Sequence, residues 1–316
     1  MFLLRYVCVE ASGESLWADA RESLLEAMAE DGKKEESQKT PAGQEVRECW
    51  EAWILRMKDA GITARIPGIV RGKEDLAAQE ENALWITDDP RRARELADQG
   101  KAVMGLLCGK ESGQDFEGIS HVGYRLTEME PEYFERVWRR QAGIPWEILE
   151  TKRCLVRETT IEDAEALYEI YEQPGITDYL EELPKDRYAF CAWLKEYQKQ
   201  VYGLLGYGIW TVCLKEEAFG SGKAGGLTVI GRAGLNVREG FAQPELGFVI
   251  GKPWQGLGLA YEVCSAILRF ARELEIPEVI AFADQKNEAS KGLLRRLGFE
   301  ENKEAERNGS WTWQER

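Results

Sequence analysis

Glu245 heads a short apolar run, Leu246-Gly-Phe-Val-Ile250, which leads into the corner Gln255-Gly256-Leu257-Gly258-Leu259-Ala260. Glycines at 256 and 258 let the backbone turn tightly and aim successive N–H groups at one spot. A long amphipathic run follows at once, so the corner opens a helix. The unpaired N–H groups and positive dipole end of that helix point at the same spot. Such a corner suits a pyrophosphate. A carboxylate at 245 is a group that can take up a proton, and Asn287-Glu-Ala-Ser290 and Leu297-Gly298-Phe299 supply further polar and turn residues.

Gln255 to Ala260 matches the Q/R-x-x-G-x-G/A loop by which GNAT N-acetyltransferases hold coenzyme A. With Glu245, Asn287, Ser290 and the Leu-Gly-Phe ending, the region resembles the branch that contains the protein N-terminal acetyltransferases. The resemblance implies acetyl-CoA as co-substrate and an amine as acceptor. It gives Glu245 the role of general base at the start of the fourth strand, often acting through water. It gives the backbone of Phe248, Val249 and Ile250 the roles of polarising the thioester carbonyl and pairing with the pantetheine arm. Gln255, Gly256, Leu257, Gly258, Leu259 and Ala260 would surround the pyrophosphate. Asn287 and Ser290 would contact the cofactor arm, with a loop turn and a helix N-cap as their alternative or additional roles. One departure stands out: the tyrosine that relatives place before the final Gly-Phe is Leu294 here, which cannot protonate a thiolate. Two readings follow. One is an acetyl-CoA-dependent N-acetyltransferase acting on a primary amine of a small molecule or a protein N-terminus. The other is a coenzyme A-binding regulatory module whose transfer activity has lapsed.

The elements that must position these residues are read from periodicity. Cys154–Arg157 reads as a strand, and Thr159-Thr-Ile-Glu162 has capping-box spacing. Thr160, Ala164, Leu167 and Tyr171 share one helical face, and Phe190, Trp193, Tyr197 and Val201 share another. Strands are expected at Tyr207–Leu214, Leu227–Val237, Glu245–Ile250 and Val279–Ala283. Between the last two lies a helix with Val263, Ile267, Phe270 and Leu274 inward. A helix over Ser290–Leu297, with Leu293, Leu294 and Leu297 inward, and a hairpin turning at Asn308-Gly309 complete the chain. The resulting order, β-α-α-β-β-β-α-β-α-β-β, is the one the resemblance implies. Gly220-Ser-Gly222-Lys223 is no Walker loop, since Glu217 and Ala224 stand where glycine and Ser/Thr are required. Acceptor choice is expected from the loops at 174–188 and 215–226.

The first half offers a fold class and no chemistry. Residues 12–29 read as a helix with Leu16, Ala20, Leu24 and Met28 on one face, and Asp31 to Gln44 as a polar loop. Val46, Trp50, Trp53 and Met57 mark an amphipathic helix with its tryptophans in the core. Strand Ala83–Thr87, helix Pro90–Gln99 and strand Ala102–Leu107 form a parallel βαβ unit. A third strand over Ile119–Tyr124 and a helix over Pro131–Ala142 follow. Trp85-Ile-Thr-Asp-Asp89-Pro weakly resembles the last part of a haloacid-dehalogenase-type phosphatase domain. The Asp-x-Asp nucleophile of that family is missing after the first strand, Phe2–Val9, so no phosphatase activity is expected and Asp88 reads as an N-cap. The fold class is thus α/β: a small α/β domain over 1–150 and a mixed sheet flanked by helices over 151–316.

Bulk properties fit this picture. The chain has 316 residues, and 56 acidic against 41 basic groups give a net charge of −15. That disfavours partners held by phosphate neutralisation, so neither nucleic acid nor a membrane surface is expected. Seven scattered cysteines without a C-x-x-C pair read as buried free thiols. His121, the sole histidine, lacks companions for a metal site, and none is expected. The opening residues do not form a signal peptide and no run is long enough to span a bilayer, so a cytoplasmic location is expected. Oligomeric state is left open.

Overall fold

The computed structural model describes residues 3–11, 16, 19–20, 43–66, 82–107, 113–179, 183–184, 186–219, 225–302 and 309–314. They fall into two compact units, Met1–Ile144 and Pro145–Arg316.

In the first unit, strands Tyr6–Glu10 (β1), Thr63–Arg65 (β2), Ala83–Thr87 (β3), Ala102–Leu106 (β4) and Val122–Gly123 (β5) form one sheet in the order β2-β1-β3-β4-β5. Every neighbouring pair is parallel. Side chains alternate across a strand, so each of these strands feeds two cores. Val7, Val9, Leu84, Ile86 and Met104 meet Trp50 and Trp53 of helix Gly43–Asp59 (α1) and Phe134 and Val137 of helix Pro131–Gln141. Cys8, Trp85 and Val103 point the other way, onto Ala93 and Leu96 of helix Pro90–Asp98 (α2). With α2 on one face and α1 and Pro131–Gln141 (α3) on the other, the unit is doubly wound. The expected βαβ unit is β3-α2-β4, and both tryptophans are core residues. Leu16 and Ala20 are buried as expected, but the rest of the 12–29 helix and nearly all of the 31–44 loop lie outside the described residues.

Two readings of this unit are corrected. The helix after β3 is capped by Asp89, whose Oδ1 accepts from Arg91 N at 2.8 Å, and not by Asp88. Proline at the first helical position fixes Asp89 as the residue just before the helix. The strand expected over 119–124 is only Val122–Gly123, because Ile119 turns inward with Phe116 onto the α2 face.

The second unit begins earlier than residue 150. Glu147–Glu150 (β6) pairs antiparallel with Cys154–Arg157 (β7), and Pro145 stands before that edge strand. Helices Ala164–Tyr171 (α4) and Arg187–Tyr197 (α5) follow, the second continuing into one wide turn over Gln198–Tyr202. Then come Ile209–Lys215 (β8), Leu227–Asn236 (β9), Glu245–Ile250 (β10), Leu259–Glu273 (α6), Glu278–Phe282 (β11), Glu288–Leu297 (α7), Glu300–Glu301 (β12) and Ser310–Gln314 (β13). Beyond β6 this is the expected order, and β12 with β13 is the expected terminal hairpin, although Asn308 lies outside the described residues. The sheet runs β12-β13-β11-β10-β9-β8-β7-β6, antiparallel throughout except for the parallel pair β10–β11.

Its two faces are covered by different helices. Trp210, Val212, Leu246, Ile250, Val279 and Ala281 pack with Val263 and Ile267 of α6 and Leu294 of α7. On the other face Val249 meets Ile170 of α4, and Leu167 of α4 packs with Phe190 and Leu194 of α5. Leu274, expected inward, is an exposed C-cap, while Leu259, Cys264, Leu268 and Ala271 complete the buried face of α6. The capping box is displaced by one residue. Thr160 and Asp163 form it, because the Asp163 carboxylate is also wanted by Arg157 below. Cys8, Cys154, Cys213 and Cys264 are buried free thiols, and burial pushes their pKa values up to about 11, 11, 11 and 12. Among the described residues no helix is long and apolar enough to cross a membrane.

Two glycines let the centre of this sheet close. A Cβ on Gly231 would lie 2.0 Å from the Val249 carbonyl oxygen, and one on Gly234 would lie 1.9 Å from that of Gly208. Both obstacles are backbone and cannot swing away. Gly234→Ala should therefore cost about 1–3 kcal/mol of stability, the usual range for overpacking. Chemical denaturation checks this, and an unchanged midpoint would show that the strands can part at no cost.

Candidate active site

The site is built where β10 and β11 separate. Their parallel pairing registers only Glu245 opposite Ile280, supported by Ile280 N donating to Pro244 O at 2.9 Å. Beyond that point β10 pairs with β9 alone. Gly251 N donates to Ile230 O, so by antiparallel alternation the N–H groups of Gly247 and Val249 also face β9. Those of Phe248 and Ile250 face the gap left by β11. Phe248 to Ile250 thus present an open strand edge to which an amide-bearing ligand can add as a further strand.

At the end of that edge the chain makes a single turn, Lys252–Trp254, and enters the glycine corner. Gly256 lies at φ +74° and Gly258 at φ +77°, left-handed conformations that side chains rarely adopt. Gly258 is the N-cap of α6 and brings no side chain to cap it. The first intrahelical bond there runs from Glu262 N to Gly258 O, so the N–H groups of Gly256 through Tyr261 have no acceptor among the described residues. Free N–H donors at a helix N-terminus suit an anion.

The side chains expected in this corner divide by role. Gln255 does not reach outward: its Nε2 donates to Ile250 O at 2.7 Å and fixes the step from strand to loop. Leu257 is exposed, Leu259 is buried in the core, and both offer the site only their backbone. Phe248 and Ile250 likewise contribute main chain, their side chains packing into the core, whereas Val249 turns its backbone to β9 and its side chain onto Ile170.

One residue that sequence reasoning missed holds the corner in shape. Arg153, preceding β7, donates from Nη1 to Leu257 O at 2.9 Å and from Nε to Glu262 Oε2 at 2.7 Å. Its backbone N also donates to Glu262 Oε1. Burial pushes the Glu262 carboxyl up, but hydrogen bonds from Thr151 and Arg153 outweigh it and hold the group below the usual carboxylate range. A guanidinium is thereby fixed beside the glycines, with Nη2 3.7 Å from where a Cβ on Gly258 would stand. The 104 residues between Arg153 and Leu257 carry no pattern that announces the contact.

α7 begins at the same edge of the sheet, because it follows β11 as the loop follows β10 and those strands are parallel. Asn287 is its N-cap, accepting from Ser290 N at 3.0 Å, so of the two residues Asn287 is the cap and Ser290 is capped. Leu294 lies fully buried in the core beneath α6.

Glu245 sits at the other end of β10, about 17 Å of strand from Ile250. Its side chain is 19% exposed and pairs with Arg238 at 2.9 Å. The Arg238 guanidinium lies 3.8 Å over the Phe282 ring, which Phe241 meets edge-on. The carboxylate is therefore held by a partly exposed cation on an aromatic shelf, within reach of solvent. His121, in the first unit, plays no comparable part: burial and the nearby Arg140 hold its pKa down at about 4, so it is neutral at pH 7.

Comparison with known proteins bears on residues 153–300, which match the family described as acetyltransferase (GNAT) domain. The curated [ribosomal protein uS5]-alanine N-acetyltransferase of Escherichia coli (strain K12) is 39% identical over 75 residues, 23% of this chain and 39% of that protein. The chain thus spans well under half the length of this relative. Among solved structures, an acetyltransferase from Agrobacterium tumefaciens is 19% identical over 53% of this chain and 94% of its own, with a TM-score of 0.43. The ribosomal-protein-S5-alanine acetyltransferase from Vibrio fischeri is 16% identical over 54% and 96%, with a TM-score of 0.42. Residues 153–300 thus match a GNAT acetyltransferase domain.

Proposed function

We propose that this domain transfers the acetyl group of acetyl-CoA to a primary amine. The observation that carries the reading is the continuity of the open β10 edge with the donor corner at Gly256–Tyr261, with Glu245 at the far end of the same strand. The corner holds the pyrophosphate, the N–H groups of Phe248 and Ile250 engage the arm and thioester end, and the Asn287 amide nitrogen reaches the arm from α7. At Glu245 the protonated amine, with a pKa near 8 for an α-amine, gives up its proton directly or through water. The neutral nitrogen attacks the thioester carbonyl, the C–S bond breaks, and the product is an amide and a thiol. The departing sulfur, of pKa about 8.5, leaves readily without a dedicated acid. Leu294, buried in the core, leaves that role vacant without opening a hole in the site. A protein N-terminus is the acceptor class favoured by the E. coli relative.

Turnover of acetyl-CoA against a panel of peptide N-termini, polyamines and small amines tests the reaction, and no turnover on any of them would leave only a coenzyme A-binding module. Cofactor binding is tested separately at Gly258. Because φ there is +77°, Gly258→Val would add strain as well as bulk. Gly258→Asn tolerates the left-handed conformation and adds bulk alone. It should weaken coenzyme A by about tenfold or more, about 1.4 kcal/mol, with an unchanged melting temperature. Equal affinity by calorimetry would remove the pyrophosphate assignment.

A further inference from the structure

Arg232 lies on β9, 6% exposed, in register with Val249 of β10 and Thr211 of β8. Its guanidinium stacks over the Trp193 ring of α5 at 5.3 Å. Its Nε is buried without an acceptor, and no hydrogen bond or ion pair reaches the group from any described residue. The neighbouring row shows what this fold does with a structural arginine. Arg157 of β7, opposite Thr211, is gripped at both terminal nitrogens by Asp163, at 2.8 and 2.6 Å. An arginine stays charged at any relevant pH, and a buried charge without a counter-charge is costly. An aromatic face offsets part of that cost and satisfies none of the five N–H donors.

The unpaired group also shares a sheet face with Glu245. Residues paired across β9 and β10 share a face: Arg232 pairs with Val249 and Asn236 with Glu245, and within each strand the two positions are four residues apart along an unbroken register. Arg232 therefore projects from the same face as Glu245, four residues along the strand, about 13 Å. That span is more than a free amino acid covers between its own amine and carboxylate, and it fits a peptide whose first residues lie along the face. A single cation matches a single carboxylate rather than a doubly charged phosphate. We infer that Arg232 is a specificity residue that receives the carboxylate of an acidic side chain at the second or third position of a peptide acceptor. This rests on the acetyl-transfer reading and deepens it.

The test uses the full chain, acetyl-CoA and the peptides Ala-Glu-Ala-Ala and Ala-Ala-Glu-Ala, each against its glutamine counterpart. At least one acidic peptide should exceed its amide counterpart by tenfold or more in kcat/KM. Arg232→Met, which keeps an apolar chain on Trp193, should erase the preference. Arg232→Lys should keep part of it, since charge remains and the fork is lost. Coenzyme A affinity should be unchanged in both. Equal kcat/KM for glutamate and glutamine at both positions in the parent protein would overturn the inference without any variant. Should none of the peptides be acetylated, binding of the N-acetylated forms in the presence of coenzyme A decides instead. A tenfold preference for the acidic form upholds Arg232 even if the transfer reading falls, and no preference refutes it.

Discussion

Glu245→Gln should lower acetyl transfer by about 10²–10⁴-fold, roughly 3–5 kcal/mol in the barrier, while coenzyme A affinity barely moves. The substitution keeps the shape and removes the base, and the cofactor is held by backbone donors at the other end of β10. Stability should also stay put, because the partner Arg238 is 44% exposed and such pairs contribute about 1 kcal/mol or less. The loss should shrink as pH rises past the pKa of the acceptor, about 8 for an α-amine, where the nucleophile arrives neutral. The pH profiles of both proteins decide. A difference below about threefold, flat across pH, would leave Glu245 as a strand-end charge and positioning as the source of catalysis.

Asp163→Ala should cost about 3–5 kcal/mol, a large share of the 5–15 kcal/mol that keeps a typical domain folded. Asp163 is 3% exposed and receives Arg157 at both nitrogens, the Thr160 backbone N–H and the Thr211 hydroxyl. Removing it leaves a buried guanidinium without its counter-charge and the Thr160 N–H without its acceptor between β7, β8 and α4. Replacing both members, as Arg157→Met with Asp163→Leu, should cost less than the single change, since no charge is then stranded. Hydrogen exchange at β7 and β8 reads the second unit by itself. A loss under about 1 kcal/mol for Asp163→Ala would show that water reaches the pair and compensates.

The parts of the site that were legible in the sequence are those fixed by local backbone chemistry. Gly256 and Gly258 announce left-handed positions that other residues avoid, and the apolar period after them announces α6. Strands β8 to β11 were visible because their apolar runs are bounded by turns. What escaped depended on partners distant in the chain. Arg153 reaches Leu257 across the unit, and Asp163 was displaced into the capping box by its pull on Arg157. The amide of Gln255 turned back onto Ile250, a choice between ligand and backbone that spacing alone does not make. The boundary was placed late because β6 is short, half-exposed and carries glutamates at both ends, so no apolar period marks it as a strand.

The all-parallel sheet of the first unit sets a delay during synthesis. β1 is an interior strand whose second edge is filled by β3, and Tyr6 finds its partner Ala83 only after 77 further residues have been made. At about 5–20 residues per second that wait is roughly 4–15 s. For most of that time Val7, Cys8 and Val9 have neither sheet edge paired, since even β2 follows only at Thr63. The terminal hairpin of the second unit, by contrast, pairs strands that are neighbours in time as well as in space. The segment of the first unit that waits longest for its partners is its first strand.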